Sequence, residues 1–246
     1  MSYRGFSPRT RLLRWGLFAA AVAIVLVATV PAAWDAVIRV AALSPAKLPW
    51  VATRLVAFLS YFAIAGSVVY GLLLSTKILD SIAHRPVSFA LHQDLAAIGL
   101  GLAGVHVVLL GLDSTVPFSF GEMLVPFAAP YRPLWVGMGQ LTLYITAVVV
   151  ASFYARRRIG AKAWRTLHYV TFLAFAGATV HGITAGSDSG SAWAWWSYVA
   201  AAVAVVFLTV YRIVAAMMPD VVGGRRPAVE PFSRPPTREP SRAVAP

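Results

Sequence analysis

Of the chain's 246 residues, 59% are hydrophobic and 12% are charged, against about 25% charged in an ordinary soluble domain, which excludes a soluble globular fold and makes this an all-α integral membrane protein. The net charge of +12 would suit nucleic acid, but the basic residues fall between apolar runs instead of forming a stripe with interleaved aromatics, so they read as topology signals and no nucleic acid is expected. The absence of cysteine excludes disulfides, thiolate metal sites, iron–sulfur clusters and covalent c-type haem attachment.

Residues 1–14 form a short basic cytoplasmic segment with Arg4, Arg9, Arg11 and Arg14. Trp15 to Trp34 is the first apolar span. A signal peptide is the competing reading, because small residues around Pro31, Ala32 and Ala33 follow the basic start and apolar centre. The apolar stretch exceeds the usual core of about 7–15 residues, so a retained helix is expected. A loop over 35–49 leads to the second span, Trp50 to Ser75, and the link Thr76 to Pro86 leads to the third, Ser88 to Leu112. The loop Asp113 to Arg132 carries Pro117, Pro126, Pro130 and the apolar patch GEMLVPFAAP. It is expected to dip onto the membrane surface and cover one end of the bundle. Pro133 to Tyr154 is the fourth span, closing on Arg156, Arg157 and Arg158; Ala163 to Ala185 is the fifth. After a GSDSGS turn, Ala192 to Met217 is the sixth. Residues 218–246, rich in proline, arginine and small side chains, are expected to be a disordered cytoplasmic tail.

Cytoplasmic loops carry the excess of Lys and Arg. Seventeen of the 21 basic residues fall on one side, with only Arg39, Lys47, Arg54 and Arg132 on the other. Both termini are therefore expected in the cytoplasm, with residues 15–217 forming a six-transmembrane-helix bundle. An Ala-, Val- and Arg-rich chain of this kind points to a multi-pass protein of the bacterial cytoplasmic membrane.

Four histidines interrupt the apolar runs. His92 and His106 lie fourteen residues apart on the third span, which separates them by roughly 21 Å and returns them to within about 40° of one face. His168 and His181 lie thirteen apart on the fifth, roughly 20 Å in height but about 140° around a regular helix. The third and fifth spans run in the same direction, so His92 pairs in depth with His168 and His106 with His181, giving an inner and an outer site. Either a kink or non-α turn at Gly177 or a rotation of the two haem planes relative to each other is the expected answer to the thirteen-residue spacing. Ionisable side chains within a span are costly and usually serve a purpose. One histidine alone would equally suit a bond to a neighbouring helix, whereas two height-matched pairs suit neutral imidazole ligands to b-type haem. Tetrahedral zinc would need its ligands together. His84, in the cytoplasmic link, is assigned no ligand role.

These pairs, with the lead-in WRTLH before the fifth span and HGITAGSD at its end, resemble the ferric reductase-like transmembrane domain over about residues 50–215. That family includes the membrane parts of ferric-chelate reductases and NADPH oxidases, and the haem subunit of a bacterial methionine sulfoxide reductase system. The resemblance implies two non-covalent b-type haems carrying electrons across the membrane, the inner ligated by His92 and His168 and the outer by His106 and His181. The full-length reductases continue into flavin- and nicotinamide-binding domains, whereas residues 218–246 hold no G-x-G-x-x-G and no flavin or NAD(P) site. A cytoplasmic flavoprotein reductase or membrane quinol is expected as donor, and a ferric chelate, oxygen or a partner protein as acceptor.

Around these ligands, Gly99 lies midway between His92 and His106, where a missing side chain would admit a macrocycle or a packed helix. Arg54, near the outer end of the second span, would pair with haem propionates or snorkel to the interface. Arg165 is a candidate for the inner propionates or simply a cytoplasmic topology charge, and Phe172 and Phe175 would fill the space between the sites or pack against lipid or the helix core. Gln140 and Asp94 are further polar candidates. Two alternatives stand beside the reductase-like reading: a haem subunit feeding a separate periplasmic reductase, and a non-redox transporter or assembly protein whose histidines carry protons or metal.

Overall fold

The computed structural model describes residues 48–76, 84–114 and 116–217. The expected first span, the termini and the tail lie outside the described residues, and with them the six-span count and the placement of both ends. Within the described residues the chain is all helical: α1 (Leu48–Thr76), α2 (Arg85–Leu112), the short α3 (Phe120–Leu124), α4 (Pro133–Ile159), α5 (Ala161–His168), α6 (Thr171–Ala185) and α7 (Ala192–Met217). Four of them, α1, α2, α4 and α7, are long and apolar enough to cross a membrane. At about 1.5 Å per residue each exceeds the roughly 30 Å hydrocarbon core. The chain is thus a multi-pass helical membrane protein. Exposed Trp193, Trp195 and Trp196 ring one end of α7, while exposed Tyr154 and Tyr169 lie towards the opposite, arginine-bearing end, the pattern of interfacial aromatic belts. The end carrying Arg156, Arg157 and Arg158 is called inner below, and the opposite end outer.

The expected fifth span is divided. Gly160, at φ 84°, reverses the chain after α4 in a conformation that costs a residue without Cβ little, and α5 starts at once. α5 ends on His168. The N–H groups of Tyr169, Val170 and Phe172 then donate to carbonyls three residues back, on Thr166, Leu167 and Tyr169, a tight 3₁₀-like turn. The irregularity expected at Gly177 therefore lies at Tyr169–Val170. Gly177 stays inside α6, where an added Cβ would run into the hydroxyl of Thr142, so its small size serves close packing of α4 on α6.

α1 packs along the length of α2 and also touches α6 and α7, while α4 packs on α6. The buried core holds Tyr61, Leu72, Phe175, Tyr198 and Val205; the Tyr61 ring stands 4.9 Å from that of Tyr198 and 6.1 Å from that of Phe175. Phe175 therefore belongs to the core, whereas Phe172 reaches a cavity wall. The contact between α1 and α2 has a seven-residue repeat. Thr53, Ser60 and Ser67, every seventh residue of α1, donate their hydroxyls to the backbone carbonyls of His106, Gly99 and His92 at 3.1, 2.7 and 2.9 Å. A seven-residue repeat keeps one seam facing the partner when two helices wind around each other. Two such repeats make the fourteen residues between His92 and His106.

Candidate functional site

α2 makes no extended contact with α5 or α6. The gap between these histidine-bearing elements holds two cavities, an inner one of about 310 Å³ and an outer one of about 320 Å³, within the roughly 300–1,000 Å³ range of ligand pockets. His92 and His168 line the inner cavity, His106 and His181 the outer. Ile64 and Thr146 line both and form the partition. Across the inner cavity the His92 and His168 rings stand edge to face with centroids 6.0 Å apart.

Three of the four imidazoles are fixed in the same way. Nδ1 of His92 lies 2.8 Å from the Ser67 carbonyl, Nδ1 of His106 3.0 Å from the Thr53 carbonyl, and Nδ1 of His181 2.8 Å from the Trp135 carbonyl. A carbonyl oxygen only accepts, so the neutral ring carries its proton on Nδ1 and keeps the Nε2 lone pair for a ligand. The hydroxyls of Thr53 and Ser67 also lie 2.8 and 3.1 Å from Nδ1 of His106 and His92.

A helical carbonyl is normally overlaid by the side chain one turn further on, because side chains lean back towards the N-terminus. The residues four positions after Ser67, Trp135 and Thr53 are Gly71, Gly139 and Ala57. A Cβ on Gly71 would stand 3.1 Å from Cε1 of His92, and one on Gly139 would stand 2.5 Å from Nδ1 of His181. These small residues leave the accepting carbonyls open to the rings. The sequence reading missed them, together with the hydroxyl repeat; spacings of seven in α1, matching His92, Gly99 and His106, were the available signal.

His168 is held differently. Its ring makes no hydrogen bond among the described residues, and it stacks on Trp164 at 5.1 Å and 26°. Among the described residues no three of His, Cys, Asp and Glu converge, so each cavity offers a pair of imidazole nitrogens and not a tetrahedral metal site.

The other expected site residues divide. Arg54 lines the outer cavity, lies 4.1 Å over the Trp50 ring and is ion-paired with Asp188, tying α1 to the α6–α7 turn. Gly99 lines neither cavity. An added Cβ there would stand 2.7 Å from Cγ1 of Ile64 and 3.3 Å from the Ser60 carbonyl, so Gly99 serves the α1–α2 seam. Arg165 lines the inner cavity, as does Arg212, which the sequence reading counted only as a topology charge. His84 and Asp94 line neither cavity.

The segment between α2 and α4 walls the outer cavity through Phe118, Glu122, Met123 and Tyr131. Ser119 opens α3 with a capping box, its N–H donating to the Glu122 carboxylate at 2.7 Å and its hydroxyl accepting from the Glu122 N–H at 3.3 Å. That donation holds the Glu122 carboxyl below the ordinary carboxylate range. Gln140 donates from Nε2 to the Glu122 carbonyl at 2.7 Å and Tyr144 donates to the Leu124 carbonyl, so the segment reaches well down the side of α4. Arg132 donates to the Thr184 carbonyl and closes its far end.

The chain matches no protein-family model, no curated protein and no solved structure.

Proposed function

We propose that each cavity holds one b-type haem, the inner between His92 and His168 and the outer between His106 and His181, and that together they carry electrons across the cell membrane to an extracytoplasmic acceptor in the manner of ferric reductase-like domains. The observation that carries this reading is the pairing of histidines across two separate cavities, with three of the four presenting Nε2. The placement of the inner pair supports it. The His92 and His168 rings stand 6.0 Å apart across the inner cavity, so these two residues would hold the inner haem from opposite sides. Chemistry supports it too, since paired neutral imidazoles without sulfur ligands suit six-coordinate b-type haem.

When bound, haem supplies a one-electron carrier whose potential follows its axial ligands, hydrogen bonding and burial. The chain's own residues do the rest. The carbonyls of Ser67, Thr53 and Trp135 hold three imidazoles in one tautomer and raise their basicity as ligands. The apolar walls exclude water. Arg165 and Arg212 at the inner cavity, and Arg54 at the outer, offer cations for carboxylates, Arg54 in competition with Asp188. A ferric chelate, oxygen or a partner reductase would meet the outer rim, between the Arg54–Asp188 pair and the segment 113–132. A cytoplasmic flavoprotein or membrane quinol would supply the inner side. The non-redox alternative calls for a continuous polar path, and the mostly apolar cavity walls with the Ile64 and Thr146 partition favour the haem reading over it.

The test is a reduced-minus-oxidised absorbance spectrum of detergent-purified, haem-supplied protein, with haem quantified against protein. Two b-type haems per chain are expected, falling to about one in His106→Ala. A well-folded preparation without haem overturns the reading.

A further inference from the structure

The inner pair is unequal. His92 lies inside a long helix with its Nδ1 engaged by the Ser67 carbonyl at 2.8 Å. His168 is the last residue of the eight-residue α5. Directly after it the chain leaves the helix through the Tyr169–Val170 turn, so the backbone beside the ring lacks the continuous ladder that runs past the other three histidines. A hydrogen bond to a carbonyl fixes a ring's direction, tautomer and basicity together. A stacked partner restrains only the plane and lets the ring slide. Trp164, one turn earlier on α5, is that partner, and its own Nε1 is buried without a hydrogen-bond partner.

We propose that His168 is the exchangeable ligand of the inner site, kept in place by stacking on Trp164, and that the inner cavity admits a small neutral ligand where the His168 nitrogen withdraws. This rests on the haem reading above. The cavity lining includes the small or apolar side chains of Ala96, Ala97, Val149 and Phe172, which suit an uncharged diatomic molecule, with Arg165 and Arg212 as its cations. His106 and His181, both anchored through Nδ1 inside α2 and α6, keep the outer site closed. Trp164 is a positioning residue here: it acts through His168.

The experiment is a titration of dithionite-reduced, haem-loaded protein with carbon monoxide, read as the absorbance change of the haem bands and compared among wild type, Trp164→Leu and Trp164→Phe. Wild type is expected to take up carbon monoxide at one haem per chain. Trp164→Leu keeps an apolar side chain but removes the π face and is expected to raise the affinity about tenfold, while Trp164→Phe, also smaller than tryptophan, keeps the stack and stays near wild type. Loss of the inner haem in Trp164→Leu alone, with Trp164→Phe intact and wild type binding carbon monoxide, supports the same orienting role. Two haems per chain with no uptake by wild type at saturation overturn the inference and leave the haem reading standing, as does equal affinity in all three proteins. A preparation without haem fails the reading on which it rests.

Discussion

α2 and the α5–α6 pair carry the same cargo, two histidines each at similar heights, and present it by opposite means. α2 is one unbroken helix whose histidines fall two seven-residue repeats apart and are keyed to a partner helix with hydroxyls at the same period. The α5–α6 pair carries thirteen residues between its histidines and is broken just after the first. There each ring finds its own support, Trp164 for His168 and the Trp135 carbonyl of α4 for His181. A spacing that matches the helix repeat can be held by one neighbour, whereas a mismatched spacing needs a break and two separate anchors.

The sharpest way to break this contrast is to change the register of each element by one residue. An alanine inserted between Gly99 and Leu100 rotates everything after it by about 100°, which takes His106 off the α1 seam and away from Thr53. On the proposed reading of one haem in each cavity, the outer haem is expected to be lost and the inner kept, so that haem per chain falls from two to about one. An alanine inserted between Tyr169 and Val170 enters a turn that is already irregular and is expected to leave haem content above one per chain. Equal losses from the two insertions would mean that the α1–α2 register does not govern the site.

How much of this was legible beforehand differs between the same two elements. The histidine heights could be read because helix rise is constant, and the boundaries of α7 fall where hydropathy put them. The sequence does not place the break, because glycine is the usual kink signal and the turn occurs at Tyr169–Val170, neither of which is a helix breaker. One tertiary contact holds it, since Tyr169 accepts a hydrogen bond from Arg212 of α7 at 3.2 Å; the Trp164–His168 stack, a local contact four residues apart, closes α5. Gly99 was recognisable as a seam residue only together with Ser60, since a lone glycine reads equally as ligand space. The hydroxyls of α1 were visible but uninterpreted, because serine and threonine in a span usually bond their own preceding turn.

A milder perturbation separates seam from lipid face on one helix. Gly99→Leu puts a side chain where a Cβ already stands 2.7 Å from Ile64, whereas a Cβ on Gly101 meets nothing within 4 Å. Overpacking of this kind costs about 1–3 kcal/mol, so Gly99→Leu is expected to lower the thermal midpoint in detergent and to loosen both sites. Gly101→Leu should leave midpoint and haem content unchanged. Equal effects of the two would remove the seam as the organising contact.

The smallest expected effect comes from Thr53→Val, which keeps the shape of the seam and removes one hydroxyl. Two roles are merged at Thr53: its backbone carbonyl accepts from Nδ1 of His106 at 3.0 Å, and its hydroxyl donates to the His106 carbonyl at 3.1 Å. Valine retains the first and deletes the second. The His106 carbonyl also lies inside α2, where the helical ladder satisfies it, so no buried group is orphaned and the penalty for an unmade bond does not arise. Interhelical bonds of this kind average about 0.6 kcal/mol in membranes, and that is the destabilisation expected, with two haems per chain retained. Loss of the outer haem would show that the hydroxyl, and not the carbonyl, orients His106. The support on α2 would then depend on side chains as the Trp164 stack does, and the contrast between the two elements would reduce to the break alone.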